Sequence, residues 1–203
     1  MLRPTALSWS IASWLLPAAL SAQQPALDLS GGLRDHAGRA AVSASWSVQL
    51  GPLSLGAGPR LTTYQGRPQL LRRRAGTTVG LPDSVRLDPS LAGLNLMVAG
   101  ELTVVGPVTL GANLDLLGVA LGPTRSVAGN DFQPGRGSLF LYGHRDRGSL
   151  NSELYLRLRG SGPWAVRGGV SHYVIGYTAS LAGRQDRYDR FHTVPFAAIT
   201  YRP

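Results

Sequence analysis

The sequence predicts an all-β chain folded as an eight-stranded antiparallel β-barrel, and three observations support this fold class. First, most of the chain alternates between apolar and polar residues with the period of two that β-strands show. Second, tight turns rich in Gly and Pro join successive alternating segments. These turns are Gly51-Pro52, Gly106-Pro107 and Ser161-Gly162-Pro163. Third, longer connections separate the resulting hairpins, so short turns would lie at one end of the barrel and long loops at the other.

The N-terminal segment precedes the barrel and predicts export. Met1–Arg3 gives a positively charged start, and an apolar run, Ala6–Leu20, ends in small residues at Ala19–Ala22. This pattern is typical of a secretory signal peptide. The run is shorter than the roughly 20 apolar residues that a spanning helix needs. We therefore predict a signal peptide over residues 1–22 and a barrel domain over 23–203, with an N-terminal membrane anchor as the alternative.

Eight alternating segments follow in chain order. The predicted strands cover residues 27–34, 40–50, 53–64, 95–105, 108–116, 150–160, 164–177 and 191–201. The predicted long connections cover residues 35–39, 65–93, 122–149 and 178–190. Residues 138–142 also alternate, but a ninth strand would break the even strand number of such barrels. We therefore place this segment in the third loop, as an extension or a small hairpin.

The two faces of the predicted strands differ in a way that indicates their direction. Val42, Trp46 and Leu50 alternate with serines at 43, 45 and 47. Small polar groups suit the narrow interior of an eight-stranded barrel. The same face carries four acids and four arginines, a balance that is expected where charges are taken from water. These predicted interior residues are Asp28, Arg60, Glu101, Asp115, Glu153, Arg157, Arg159 and Arg167.

This assignment turns the apolar face outward, toward lipid, and makes the predicted barrel transmembrane. The alternative is a soluble, lipocalin-like periplasmic barrel with the faces inverted. Its apolar residues would then line a ligand pocket. Because an eight-stranded barrel is filled by its own side chains, the sequence predicts no open pore.

Composition and charge narrow the function classes further. The 203 residues include no Cys, which excludes a disulfide scaffold, a Cys-ligated zinc site and a cysteine nucleophile. All 20 basic residues are Arg and the net charge is +9. No basic run is interleaved with aromatics, so nucleic acid is not a predicted partner. The densest basic cluster is Arg72, Arg73 and Arg74, whose guanidinium forks suit lipopolysaccharide phosphates. The alternative is a solvated loop.

Three stretches resemble small eight-stranded outer-membrane β-barrel proteins of Gram-negative bacteria, with an OmpA-barrel or OmpX-like architecture. The segment Phe196–Tyr201 resembles the terminal strand that barrel-assembly machinery reads, although Arg202 and Pro203 follow the aromatic residue. Gly111–Leu117 and Asp146–Glu153 are similar to uncharacterised members. The resemblance implies a location in the outer membrane, contact with its lipid and lipopolysaccharide, and assembly by that machinery. It implies no activity.

The residues predict no catalytic, metal or cofactor site. Ser171 and His172 are adjacent on a strand, so they point to opposite faces and cannot pair. The His-x-Ser-Asn pattern of lipid A deacylase barrels is absent, as are phosphate-binding loops. The sequence therefore favours a non-enzymatic outer-membrane barrel that is structural or binds an envelope or surface partner through its loops. A lipid A-modifying barrel enzyme is the alternative.

Overall fold

The computed structural model describes residues 24–35, 37–139 and 149–203, and every regular element in these ranges is a β-strand. The predicted signal peptide lies outside them. The strands are β1 (Gln24–Arg34), β2 (Ala37–Leu50), β3 (Leu53–Gly66), β4 (Gln69–Ala75), β5 (Ser84–Leu87), β6 (Ser90–Val105), β7 (Val108–Leu121), β8 (Arg125–Val127), β9 (Asn130–Pro134), β10 (Gly137–Leu139), β11 (Leu150–Arg159), β12 (Trp164–Leu181) and β13 (Arg184–Tyr201). The described ranges contain no helix able to span a membrane.

Eight of these strands close into an antiparallel ring. Its order is β1, β2, β3, β6, β7, β11, β12 and β13, and β13 pairs again with β1. Leu27 lies opposite Tyr201 in the closing pair, and Trp164 lies opposite the same tyrosine on the other side. The ring order follows the chain order, so the predicted eight antiparallel strands are confirmed. Closure leaves this part of the sheet without an exposed edge.

The three predicted tight turns lie together at one end of the ring, here called the turn end. Gly51-Pro52 joins β2 to β3, Gly106-Pro107 joins β6 to β7, and residues 160–163 join β11 to β12. Gly51 and Gly106 have φ angles of 62° and 51°, a region that glycine enters without steric cost. Both described chain ends, Gln24 and Pro203, also lie at the turn end.

Two predicted long loops are wrong, because strands occupy them. In place of the first, β1 extends to Arg34 and β2 begins at Ala37. The fourth is absent, since β12 and β13 continue as a long hairpin closed by Ala182-Gly183, with φ angles of 50° and 76°. Residues 175–179 and 186–189 in this hairpin are buried on both faces. The alternation that marks a half-buried strand is therefore lost there.

The second and third predicted loops also contain strands. β4 pairs with β13 and β9 with β12, so the same sheet continues beyond the ring in the order β5, β4, β13, β12, β9 and β8. We call this part of the sheet the extension. The alternating segment at 138–142 begins in β10, which pairs with β7 above β11 and leaves the ring at eight strands. Residues 140–142 of that segment lie outside the described residues.

The main apolar core sits in the extension and in the part of the ring next to it. Leu71, Val85, Phe132, Ile175 and Tyr188 are almost completely buried there. The Phe132 and Tyr188 rings meet edge to face with centroids 5.1 Å apart. This cluster is distinct from the interior of the ring toward the turn end, which is lined by polar and charged side chains.

The outward face of the ring is apolar on every strand. Leu156, for example, is 55% exposed. Similarly exposed residues are Leu27, Leu29, Val42, Trp46, Leu55, Leu61, Leu94, Leu96, Leu102, Leu110, Leu154, Leu158, Trp164, Val166, Val170, Phe191 and Ile199.

Leu116, the last residue of the fifth predicted strand, is displaced by a β-bulge in β7. Met97 lies opposite Asp115 and Leu96 opposite Leu117, so Leu116 has no partner in the register. An inserted residue reverses the alternation that follows it. Beyond the bulge, Leu117 and Val119 are therefore the outward residues.

Candidate functional site

Charged side chains from successive strands point into the ring. Alternate residues of each strand point into the ring, and the charged residues occupy such positions. Small residues such as Ser43 and Ser47 on β2 also point inward. Of the eight predicted interior residues, six are buried, Asp28 is half-buried and Arg159 is exposed. The six are Arg60, Glu101, Asp115, Glu153, Arg157 and Arg167.

Glu153 on β11 is the centre of the network. Its carboxylate forms ion pairs with Arg39, with Arg60 at 3.6 Å and with Arg167 at 3.2 Å. Asn113 donates a further hydrogen bond of 2.9 Å. The Glu153 side chain is 1% exposed, so three guanidinium groups surround one almost completely buried carboxylate.

Two further acids complete the charge balance around Glu153. Asp28 Oδ1 lies 2.6 Å from Arg167 Nη2. Asp115 Oδ1 lies 3.3 Å from Arg60 Nη1, an ion pair outside hydrogen-bond geometry. The other Asp115 oxygen accepts hydrogen bonds from the Asn95 side chain, at 2.9 Å, and the Asn151 backbone, at 3.0 Å. Buried charges paired in this way avoid the cost of isolated ones.

A second tier of the network lies closer to the turn end, around Glu101. Arg157 Nη1 is 2.6 Å and Arg202 Nη2 is 2.8 Å from Glu101 Oε2. The hydroxyl of Tyr155 donates to Glu101 at 3.0 Å. The Arg167 guanidinium, whose carbon lies 4.5 Å from the centroid of the Tyr155 ring, links this tier to the one around Glu153.

Arg39 is the important residue that the sequence reasoning missed, and Arg159 is the one that it misplaced. Arg39 was assigned to the first loop, but it lies on β2 with its side chain buried against Glu153. Its odd-numbered position, in step with Ser43 and Ser47, could have identified it. Arg159 is the last residue of β11, beyond the tier of Arg157, and its side chain reaches solvent at the turn end. With Arg39 in place of Arg159, and with Arg202 paired with Glu101, the interior network has five arginines and four acids.

The space left inside the ring near the turn end is small. A cavity of about 30 Å³ lies between small residues such as Ser45 and Gly56 and the network side chains Glu101, Tyr155 and Arg167. Such a volume holds water but no organic ligand. The charged side chains in this part of the interior therefore form ion pairs with one another.

The residues weighed as catalytic candidates separate as the alternation predicts. Ser171 points inward and donates a 2.6 Å hydrogen bond to the Asn151 side chain. His172 is exposed on the outward face, where its Nδ1 lies 3.0 Å from the Thr193 hydroxyl. Among the described residues, no three His, Asp or Glu side chains converge as a metal site would require.

Arg72, Arg73 and Arg74 lie on β4 in the extension, and two of them contact acids of β13. Arg73 forms an ion pair with Asp186 at 3.0 Å and another with Asp83. Arg74 Nε lies 3.1 Å from Asp189. Arg72 is exposed. The cluster therefore does not present three free guanidinium groups, because Arg73 and Arg74 attach β4 and the following turn to the hairpin.

Asp186 is the acceptor that fixes this turn. It receives hydrogen bonds from the Thr78 backbone at 3.1 Å and the Thr78 hydroxyl at 2.6 Å, besides the contact with Arg73. Burial raises the pKa of Asp186, but the bonds from Thr78 and Arg73 outweigh it and leave the pKa below its ordinary value. A Cβ at Gly76 would lie 2.0 Å from the carboxylate, and the φ angle of 97° there also favours glycine.

A groove of about 540 Å³ lies at the junction of ring and extension, and we call it the rim groove. Its charged lining is Arg34, Arg86 and Arg190 with Asp35, and its apolar lining includes Leu70 and Phe191. A second depression of about 530 Å³, lined by Arg72 and Arg74, adjoins it through Leu70, Arg190 and Phe191. A strip of arginines therefore borders the outward apolar face at the end opposite the tight turns.

Comparisons with known proteins add little to this geometry. No family model and no curated protein matches the chain. Among solved structures, the chain is similar to the β domain of the Bordetella autotransporter BrkA, with 12% sequence identity and a TM-score of 0.25. That match covers 89% of this chain and 99% of the other.

Proposed function

We propose that this chain is a transmembrane β-barrel of the bacterial outer membrane, non-enzymatic and without an open pore, that presents its extension at the cell surface. The observation that carries the proposal is the direction of the two faces. Apolar side chains cover the outside of the closed ring, and a neutralised charge network fills much of its inside. A soluble barrel would favour the opposite arrangement, because its outside meets water.

The dimensions of the outward apolar face support the same proposal. On β12 the outward residues run from Trp164 to Val174, all apolar except His172, and a tilted strand needs about 9–11 residues to cross a bilayer. Trp164 and Tyr201 contact each other at the turn end with ring centroids 4.9 Å apart. Aromatic residues of this kind are enriched where a transmembrane barrel meets the membrane interface.

The orientation follows from the lengths of the connections. Outer-membrane barrels have short periplasmic turns and longer structures outside. The turn end would therefore face the periplasm, and the extension with its own apolar core would stand outside the membrane. Export through a signal peptide and insertion by the barrel-assembly machinery belong to this proposal, with Phe196–Tyr201 as the terminal strand that the machinery reads.

Two observations weigh against the alternative functions. A lipocalin-like binder needs an apolar pocket within the barrel, whereas Glu153, Arg39 and Arg60 occupy the ring interior. A lipid A-modifying enzyme needs a nucleophile beside a base, whereas Ser171 and His172 lie on opposite faces. A scaffold that displays the extension is the function that the geometry supports best.

Cell fractionation and gel mobility test this proposal. The chain, expressed with its N-terminal segment in a Gram-negative host, should appear in the outer-membrane fraction. A closed barrel resists unfolding by detergent at room temperature, so boiled and unboiled samples should migrate differently. A periplasmic, soluble chain with no mobility change would overturn the proposal. Outer-membrane lipid A that changes in mass on expression of the chain would instead support the enzyme.

A further inference from the structure

The rim groove combines cationic and apolar lining on one side of the molecule. Together with the adjoining depression, it holds six arginines and two aspartates, Asp35 and Asp189. Asp35 pairs with Arg34 and Asp189 with Arg74. Within the described residues, no carboxylate lies at ion-pair distance from Arg72, Arg86 or Arg190. The groove therefore keeps a net positive charge.

Two of the groove arginines are held in place by backbone carbonyls. Arg34 Nη1 donates to the Thr193 carbonyl at 2.8 Å, and Arg190 Nη1 donates to the Leu70 carbonyl at 3.3 Å. A guanidinium has several N–H groups, so each of these side chains keeps donors for a ligand. Oriented guanidinium groups with spare donors bind phosphate oxygens in the two-point geometry that lysine cannot offer.

The apolar part of the groove continues the outward face of the ring. Phe191 and Leu70 are 46% and 44% exposed. The Phe191 ring is stacked against the His172 ring with centroids 5.5 Å apart. The guanidinium carbon of Arg74 lies 5.2 Å from the centroid of the Phe191 ring. Phe191 is therefore a fixed apolar surface directly beside a row of cations.

We propose that the rim groove binds the phosphorylated headgroup of a membrane glycolipid. Arg34, Arg86 and Arg190 contact the phosphate, while Phe191 and Leu70 contact the first methylene groups of the acyl chains. This inference rests on the proposed function, since it needs the groove to lie at the outer membrane surface. It also moves the phosphate contact away from Arg73 and Arg74, which are already paired with Asp186 and Asp189.

The test compares lipid binding by the refolded full chain in neutral detergent. Native mass spectrometry would count bound molecules of bisphosphorylated lipid A, of the same lipid after removal of its phosphates, and of inorganic pyrophosphate. The variant Arg86→Gln/Arg190→Gln removes two groove charges. The matched control Arg136→Gln/Arg184→Gln removes two exposed charges outside the groove. The heat-dependent mobility of each variant would verify folding.

We expect the groove variant to bind phosphorylated lipid A at least about tenfold more weakly, since the loss of even one charge-assisted hydrogen bond costs roughly that factor. The control should change binding by less than about twofold. Equal binding by wild type and groove variant, or equal binding of lipid A with and without phosphates, would overturn the inference. Pyrophosphate bound as tightly as lipid A would also overturn it, since the site would then be selective for free phosphate.

These outcomes are separable from failure of the proposed function. If the chain is not a membrane barrel, fractionation finds it in the periplasm and no heat-dependent mobility is seen. If only the inference fails, the chain is membrane-embedded and heat-modifiable, and the groove substitutions leave lipid binding unchanged.

Discussion

Glu153 faces three guanidinium groups, so removing its carboxylate should strongly affect the stability of the ring. In Glu153→Ala, Arg39, Arg60 and Arg167 remain buried without their shared partner. We expect a loss of about 3–5 kcal/mol in the free energy of unfolding, the usual cost of breaking a buried ion pair. Urea titration in lipid vesicles, followed by tryptophan fluorescence, would measure it.

Asp83→Ala is the control for this prediction. It also removes a carboxylate paired with an arginine, but the Asp83 side chain is 89% exposed. Exposed pairs contribute little, so this variant should lose no more than about 1 kcal/mol. Similar losses in the two variants would contradict the assignment of Glu153 to a buried position in the ring.

Arg157 and Arg159 provide a second comparison, two positions apart on β11 and on the same side of the strand. Arg157 pairs with the buried Glu101, whereas Arg159 is exposed. Arg157→Gln should lower the free energy of unfolding by about 1–3 kcal/mol, because a charge-assisted bond to a buried carboxylate is lost. Arg159→Gln should change it by less than about 0.5 kcal/mol. If the two variants behaved alike in urea titration, the position assigned to Arg159 would be wrong.

Asp186 gives the extension a predicted dependence on pH. Its pKa is lowered in the folded chain, so the carboxylate stabilises the fold above its ordinary pKa and loses that contribution as pH falls through the folded value. Asp186→Asn should therefore weaken the extension near neutral pH. The difference from wild type should narrow below about pH 4. Limited proteolysis between Gly76 and Asp83 across this range is the measurement, and a difference independent of pH would refute the role of the charge.

At the scale of the elements, the sequence pattern located the ring strands but not the parts of β12 and β13 that continue into the extension. Gly51-Pro52 and Gly106-Pro107 were predictable because each follows and precedes a half-buried strand with clear alternation. The hairpin beyond Tyr177 was not predictable, because strands β4 and β9 pair with β13 and β12 and both hairpin faces become buried there. Apolar and polar residues alternate along a strand when its two faces contact different environments. The alternation disappears when both faces pack against protein.

The adjacent residues Gly168 and Gly169 test the packing of β12 against its neighbours. A Cβ at Gly169 would lie 2.0 Å from the Leu154 carbonyl oxygen, whereas one at Gly168 would find its nearest atom at 3.6 Å. Gly169→Ala should therefore lose about 1–3 kcal/mol through overpacking. Gly168→Ala, on the outward face, should change stability by less than about 1 kcal/mol. Urea titration would compare them, and a more damaging Gly168→Ala would reverse the assigned faces.

At the scale of the whole molecule, polar and apolar interiors are separated along the ring axis. The charge network occupies the part near the turn end, and the apolar core around Phe132 and Tyr188 occupies the extension. The stacked rings of Tyr64 and Tyr173, 5.3 Å apart and nearly parallel, lie in the apolar cluster where the strands of the ring continue into the extension. Within a bilayer, this division would put the charged interior at membrane depth and the apolar core outside.

The candidate sites were predictable to different degrees for a physical reason. The interior acids and most of their arginines follow from strand parity, which is a local property of the sequence. The rim groove brings together Arg34, Arg86 and Arg190 from β1, β5 and β13, and β5 and β13 are joined only through β4. That contact depends on how the second predicted loop folds back onto the hairpin, and no local pattern encodes it. Arg72–Arg74 were conspicuous in the sequence, but Asp186 and Asp189 neutralise two of them.

The most direct measurement asks what the outward face of the ring touches. The chain has no cysteine, so Leu156→Cys and Arg184→Cys can each carry a single fluorophore, one on the outward face and one at the hairpin tip. In vesicles, lipids brominated in their acyl chains should quench the label at position 156, and aqueous iodide should quench the label at 184. A label at 156 that iodide quenches and brominated lipid does not would contradict the account, since the apolar face would then meet water.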